Sequence, residues 1–362
     1  MKQAADRINV TDLDAAVELM FEKRWTDGLP AIPPTEAAVS RMLSYIKRSP
    51  DEVIGPVPPR DAPATIEKIA INCVMAGCKP EYMPIVIAGL EAMLAPEFNL
   101  KGIQTTTHCV APMTIVNGPQ IKDLGFHYGD AVFVAGARPN GTIGRALRLI
   151  RWNVGGAYPG ETDRSTMGHP GEICYCIPEN EEENPWEPLH VEQGFKKEQN
   201  AVSAFGCESP HHIMTGPGDA HCILNALADS MAVLGNNNTH IGGWMLVVIG
   251  PRAAAHLVKG GFTSKKQVKE YLFEKARIPV AKLRRGPGVG RDQATDAPTW
   301  LRWPIDPEDD DARVPVVRRP EDFVIMVAGG WGAAAAFCAI CPGWGYMGGQ
   351  LVTRPVLPPG QK

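Results

Sequence analysis

The sequence has no excess of charge of either sign. Its 36 basic and 40 acidic residues leave a net charge of −4, which removes the electrostatic argument for nucleic acid or an anionic membrane as a partner. A secretory leader is missing too: the opening "MKQAADRINVTDLDAAVELMFEKRW" lacks the apolar core of a signal peptide and carries acidic residues foreign to a transit peptide. A cytoplasmic location is expected. Neither GxxxxGK[ST] nor GxGxxG occurs, so no nucleotide cofactor is indicated. One uncharged run, Phe323 to Gly349, is long enough to span a bilayer, but seven glycines and Pro342 break it. Its head, "FVIMVA", has strand length and β-rich character, so a buried strand followed by a Gly-rich loop is expected in place of a membrane span. Histidine is absent from both ends: all nine lie between His108 and His256, which concentrates any imidazole chemistry in the middle of the chain.

What is present is ordinary for a globular protein, 44% hydrophobic and 21% charged over 362 residues, enough for one large or two smaller cores. The 37 glycines and 33 prolines are spread along the chain, which implies many shaped turns and loops around regular elements. Nine cysteines, an odd count without a leader, argue for free thiols or ligands over a disulfide framework.

One motif occurs twice. "THCVAPMTIVNGP" from Thr107 and "THIGGWMLVVIGP" from Thr239 share Thr, His, Met, Val, Gly and Pro without a gap. Each follows a helix rich in small apolar residues, and each reads as a Thr-His loop, a buried strand and a Gly-Pro turn into a helix. A third, looser copy is "FVIMVAGGWGAAAAF". The expected fold class is therefore α/β with duplicated strand-turn-helix units: an N-terminal helical arm over residues 1–60, a first unit over 61–200 and a second over 201–362. Helices are expected at Leu13 to Lys23, from Thr35, on both sides of the Gly77-Cys78-Lys79-Pro80 break, and over "NGTIGRALRLIRWN" with Asn140 at its mouth. The long Gly-, Pro- and acid-rich segment from Ala157 to Phe195 has little periodicity and reads as an ordered functional loop.

Several residues could carry chemistry. Cys109, beside His108, is a candidate nucleophile, because an imidazolium or helix dipole raises the thiolate fraction; its plain alternative is a buried thiol at the start of a strand. His108 and Cys109 are adjacent, and on an extended chain they point oppositely. His169 or His108 is the expected acid/base group, and Glu179, set like His169 among glycines and aromatics, is a further candidate. Thr106, Thr107, Asn117 and the Gly118 turn could hold a carboxylate or phosphate through hydroxyls and backbone N–H groups, assisted by Arg145 (followed at helical spacing by Arg148 and Arg151), Asn153 and His240. The two Thr-His loops are expected at one cleft between the units, with His108 and His240 near each other. His211, His212 and His221 are candidate ligands for zinc, iron or copper. Cys338-x-x-Cys341 has redox or metal-knuckle spacing, with Cys73 and Cys78 as further ligands if the fold brings them together.

The strings "DGLPAIPPTEAAV", "MAGCKPEYMPIVIAGLEAML", "APMTIVNGP", "NGTIGRALRLIRWNVGGAYPGETDRSTMGHPG" and "ENEEENPWEPLHVE" resemble a little-characterised bacterial family associated with UGSC-motif proteins, named for a selenocysteine- or cysteine-Gly-Ser-Cys thiol motif. The resemblance covers most of residues 25 to 260. It implies a cytoplasmic enzyme or enzyme subunit that works with a thiol or selenol redox partner on a small molecule. No Cys-Gly-Ser-Cys is present; the nearest string is Gly206-Cys207-Glu208-Ser209, so the chain resembles the companion and not the redox protein. The leading expectation is thiol-assisted chemistry on a small anionic molecule, with Cys109 as nucleophile or redox thiol. A metal-dependent lyase or hydrolase is the alternative, and a non-catalytic subunit of the redox system the third. A homo-oligomer is expected.

Overall fold

The structure, a computed structural model, describes residues 5–134, 136–216, 218–285, 305–306, 308–333 and 335–361. The chain begins with α1 (Leu13–Glu22), whose N-cap Asp12 accepts the Ala15 N–H, and α2 (Glu36–Ile46), capped in the same way by Thr35. A hairpin of β1 (Val53–Val57) and β2 (Ala62–Thr65) leads into α3 (Ile66–Ala76), which stops at Gly77 in the left-handed conformation. Next come α4 (Met83–Met93), α5 (Leu100–Ile103), β3 (Ala111–Asn117), α6 (Gln120–Asp123) and α7 (Arg138–Asn153). They are followed by β4 (Cys176–Pro178), α8 (Leu189–Glu192), β5 (Ala201–Cys207), β6 (His211–Gly216), α9 (Ala220–Met231), α10 (Asn237–Ile241), β7 (Met245–Ile249) and α11 (Pro251–Lys259). The last elements are α12 (Lys265–Lys275), β8 (Arg277–Pro279), α13 (Val280–Arg284), β9 (Arg313–Pro315), β10 (Phe323–Val327), β11 (Ala336–Pro342) and β12 (Val352–Pro355).

Two four-stranded mixed sheets organise this α/β protein, in the orders β12-β5-β3-β4 and β6-β11-β7-β10. Strand alternation decides what each face meets. Met113, Ile115, Ile177 and Phe205 of the first sheet and Leu246, Val248, Val324 and Met326 of the second form one buried layer, so the sheets stack face to face. The opposite face of the first sheet (Val116, Val202, Ala204) is covered by α3, α4 and α7. That of the second (Val247, Ile249, Ile325) is covered by α9, α11 and α12. The result is four layers, helices, sheet, sheet and helices, and strands buried on both faces such as β7 and β10 read in sequence as continuous apolar runs.

The repeated stretches occupy like places. β3 and β7 are each second from one edge, with a parallel strand on the edge side (β4, β10) and an antiparallel strand on the other (β5, β11). This is a likeness of strand arrangement and not a demonstration of duplication, because the fourth strand comes from different parts of the chain: β6 precedes β7, whereas β12 lies near the C-terminus. The first sheet also draws β5 and β12 from beyond residue 200, so the division at that residue does not follow the layers. The Gly-rich stretch after β10 contains a second buried strand, β11, whose small residues hid it from the pattern. Among the described residues no single helix is long and apolar enough to cross a membrane; one bent pair, Pro80–Met93 with Pro96–Ile103, passes on length and composition, and α4 within it is almost wholly buried in the core.

Candidate functional site

At one end of the first sheet, the segments leading into β3 and β4 meet the segment leaving β5. The β3/β5 ladder pairs Ala111 with Cys207. Continued outward, it sets Val110 opposite Glu208 and brings His108 to the same side, a diagonal neighbour. There His108 Nε2 and Glu208 Oε1 are 2.7 Å apart. The chain turns at His108, whose N–H donates to Thr106 Oγ1, and so Cys109 is not aimed away from its neighbour as on a straight strand. One ligand-type atom from each of His108, Cys109 and Glu208 lies within 4.8 Å of the other two, the one such three-residue group among the described residues.

The Gly-rich loop closes over this group. Thr166 donates its N–H and its hydroxyl to the Thr107 carbonyl (2.9 and 3.1 Å), tethering the loop to the Thr-His segment. The following turn carries His169, whose ring stands edge-on to Tyr175 at 5.5 Å. His169 Nδ1 accepts the Gly171 N–H (3.1 Å), so the neutral ring carries its proton on Nε2, a buried atom with no hydrogen-bond partner. Burial lowers the His169 pKa and keeps that ring neutral, against the Cys207 carbonyl, which lies near enough to favour the proton but outside hydrogen-bond geometry. The second nitrogen of His108, Nδ1, is likewise buried and without a partner. Tyr175 donates to the Glu208 carbonyl (3.0 Å) and fixes the backbone beneath the carboxylate. Burial above all, and then the Glu208 charge, push the Cys109 thiol up, so in isolation Cys109 is a thiol and not a thiolate.

The chain matches no protein-family model and no curated protein. The resemblance to the UGSC-associated family therefore rests on the strings alone.

Other sequence candidates lie elsewhere. Asn117, Gly118 and Glu179 sit at the far end of β3, and seven residues rising about 3.3 Å each put roughly 20 Å between them and Cys109. The Gly118 turn does hold a carboxylate, but one of the chain's own: Gly118 N–H donates to Glu181 Oε1 at 2.7 Å, and Asn117 Nδ2 bonds both Glu179 (2.6 Å) and Glu181 (2.9 Å). Gly118 has φ +95°, and a Cβ there would lie 2.5 Å from the Gln199 carbonyl oxygen. Glu179 is wholly buried, accepts from Asn117, Asn184 and the Leu189 N–H, and faces Lys265 at 3.9 Å. It anchors the loop after β4 and is not an acid/base group of the Cys109 site.

Arg145 forms a two-point ion pair with buried Asp27 (3.2 and 2.8 Å), and Asn153 donates to the Trp25 carbonyl and to Asn72. Both hold the N-terminal arm on the helical layer. His240 bonds the Leu234 carbonyl, and among the described residues no hydrogen bond or ring contact joins it to His108. His211, His212 and His221 do not converge. Successive residues of edge strand β6 face opposite sides, His212 stacks on Phe337 (4.9 Å), and His221 packs edge-on against Phe262 and Tyr271. Cys338 and Cys341 lie three apart on β11, and strand periodicity sends Cys338 to the helix-covered face and Cys341 to the inter-sheet layer. They cannot grip one ion, and Cys73, in the helical core with Cys78, is not beside them.

Sequence reasoning missed Glu208, Glu172 and Tyr175 as members of the site. The string "AVSAFGCE" offered the signal: an apolar strand-length run ending in a carboxylate, the usual place for a site residue at a strand end.

Proposed function

We propose that the chain is a metal-dependent enzyme, a hydrolase or lyase acting on a small anionic molecule, with one divalent ion of the zinc type held by His108, Cys109 and Glu208. The observation that carries the reading is the convergence of an imidazole, a thiol and a carboxylate within 4.8 Å. Three protein ligands with one position left open is the pattern of catalytic zinc. Charge favours this over thiol catalysis. Without an ion, Glu208 opposes ionisation of Cys109; with a divalent ion between them, both anions are stabilised and the coordinating thiol loses its proton.

The ion would activate water or polarise a substrate oxygen. Beside it, His169 presents Nε2–H as a fixed donor. Its Nδ1 already accepts from Gly171, which makes the ring a poor ligand and a good partner for a substrate oxygen that gains negative charge. Thr106 and Thr107 shape the loop that presents His108. Substituting cobalt(II) for the native ion tests the arrangement through Cys109. The expected result is an intense near-ultraviolet thiolate-to-cobalt absorption in the wild type that disappears in Cys109→Ser. Cobalt that binds without this absorption would remove Cys109 from the ligand set.

A further inference from the structure

The structure assigns an oxyanion-binding subsite to Arg148 and Arg151, in the last two turns of α7, positioned to take the carboxylate or phosphate group of the substrate. The inference adds the substrate's charged group to the function proposed above, but anion binding at these residues does not itself require the ion.

Two guanidinium groups in a protein interior normally come with their counter-charges. Arg148 and Arg151 are each only 5% exposed. Arg148 has a carboxylate oxygen of Glu172 at 3.7 Å and the Trp152 ring at 5.1 Å. Arg151 has neither a hydrogen bond nor an ion pair among the described residues, and its Nε is a buried donor with no partner. Glu172 is the one carboxylate within ion-pair range of either guanidinium among the described residues. Of the two buried guanidinium groups, Arg148 thus takes the one ion pair, and Arg151 is left without a direct partner.

Placement connects this imbalance to the site. Glu172, the ion-pair partner of Arg148, lies in the same short turn as His169. Arg148 and Arg151 are three apart on a helix and so share a face. A planar or tetrahedral oxyanion matches a guanidinium fork, and binding one would give Arg151 the partner it lacks. Burial, with Arg148 beside it, pushes the Arg151 guanidinium down to about 9, against the charges of Glu172 and Asp163, neither of which pairs with it directly.

The test is thermal unfolding of the full chain as purified, titrated with inorganic phosphate and separately with acetate, against sodium chloride at equal ionic strength. Phosphate, acetate or both are expected to raise Tm saturably in the wild type, and the pair of titrations tells a phosphate site from a carboxylate site. In Arg151→Met the half-saturating concentration should rise about tenfold or more, while the ligand-free Tm stays level or rises because a buried unpaired charge is gone. Arg164→Met, an exposed arginine of the covering loop, should behave as wild type. No Tm gain over chloride in the wild type, or a full response retained in Arg151→Met, would overturn the assignment. Should Arg151→Met fail to fold, Arg148→Gln and Arg151→Lys decide by the same criterion. The metal content of the same preparations separates the two ideas: anion binding without metal keeps the subsite and removes the proposed function, and metal without anion binding does the reverse.

Discussion

Glu179→Ala is expected to destabilise the protein by about 3–5 kcal/mol, read as a lower midpoint in urea unfolding. The size follows from what the substitution strands. Glu179 is fully buried and accepts from Asn117, Asn184 and the Leu189 N–H, while Lys265, 1% exposed, is shared between Glu179 and Glu192. Removing one member of a buried charged network leaves the other members desolvated and under-paired, which costs several kcal/mol where a surface pair costs little. Glu182, in the same acidic stretch but exposed and paired with Lys122 and Tyr128, provides the comparison: Glu182→Ala should leave the midpoint unchanged. A Glu179→Ala protein of wild-type stability would contradict the anchoring role.

The second large effect concerns the ion. His108→Ala and Glu208→Ala should each weaken zinc binding by more than about 100-fold, measured by competition with a chromophoric chelator, because loss of groups merely adjacent to ligands already costs 10–100-fold. Both residues lie at the rim of the sheet, partly exposed, so the variants should keep the wild-type circular dichroism spectrum. His211→Ala, His212→Ala and His221→Ala should bind as wild type, since these rings are held apart on β6 and α9. Wild-type affinity in Glu208→Ala would place the ion elsewhere.

Much of the fold was legible in the sequence because local rules agree with tertiary placement. Thr35, Ser264 and Asp219 cap the helices they precede, Gly77 ends α3, and the runs "MTIVN" and "MLVVI" are strands buried on both faces. α7 begins two residues ahead of the expected Asn140, on Arg138 with Pro139 in its first turn. Asn140 instead bonds the N–H and carbonyl of His127.

The site was legible only in part. His108, Cys109 and His169 were identifiable as reactive types, but their partners come from strands whose register no local pattern states: Glu208 reaches His108 through the β3/β5 ladder, across 100 residues. Spacing misled where the secondary structure was wrong. A Cys-x-x-Cys on a helix or a turn can converge, whereas on strand β11 the same spacing puts the two thiols on opposite faces. Gly118 was expected to hold the anionic group of a substrate, and its N–H donates to the chain's own Glu181.

The most direct test of the account is the metal content of untagged protein purified without oxygen or chelator, measured by elemental mass spectrometry. The account predicts close to one equivalent of zinc, or of another divalent transition ion, per chain in the wild type, and less than about a tenth of that in Glu208→Ala. A wild-type chain that carries no ion, and takes up none when zinc is supplied, would contradict it.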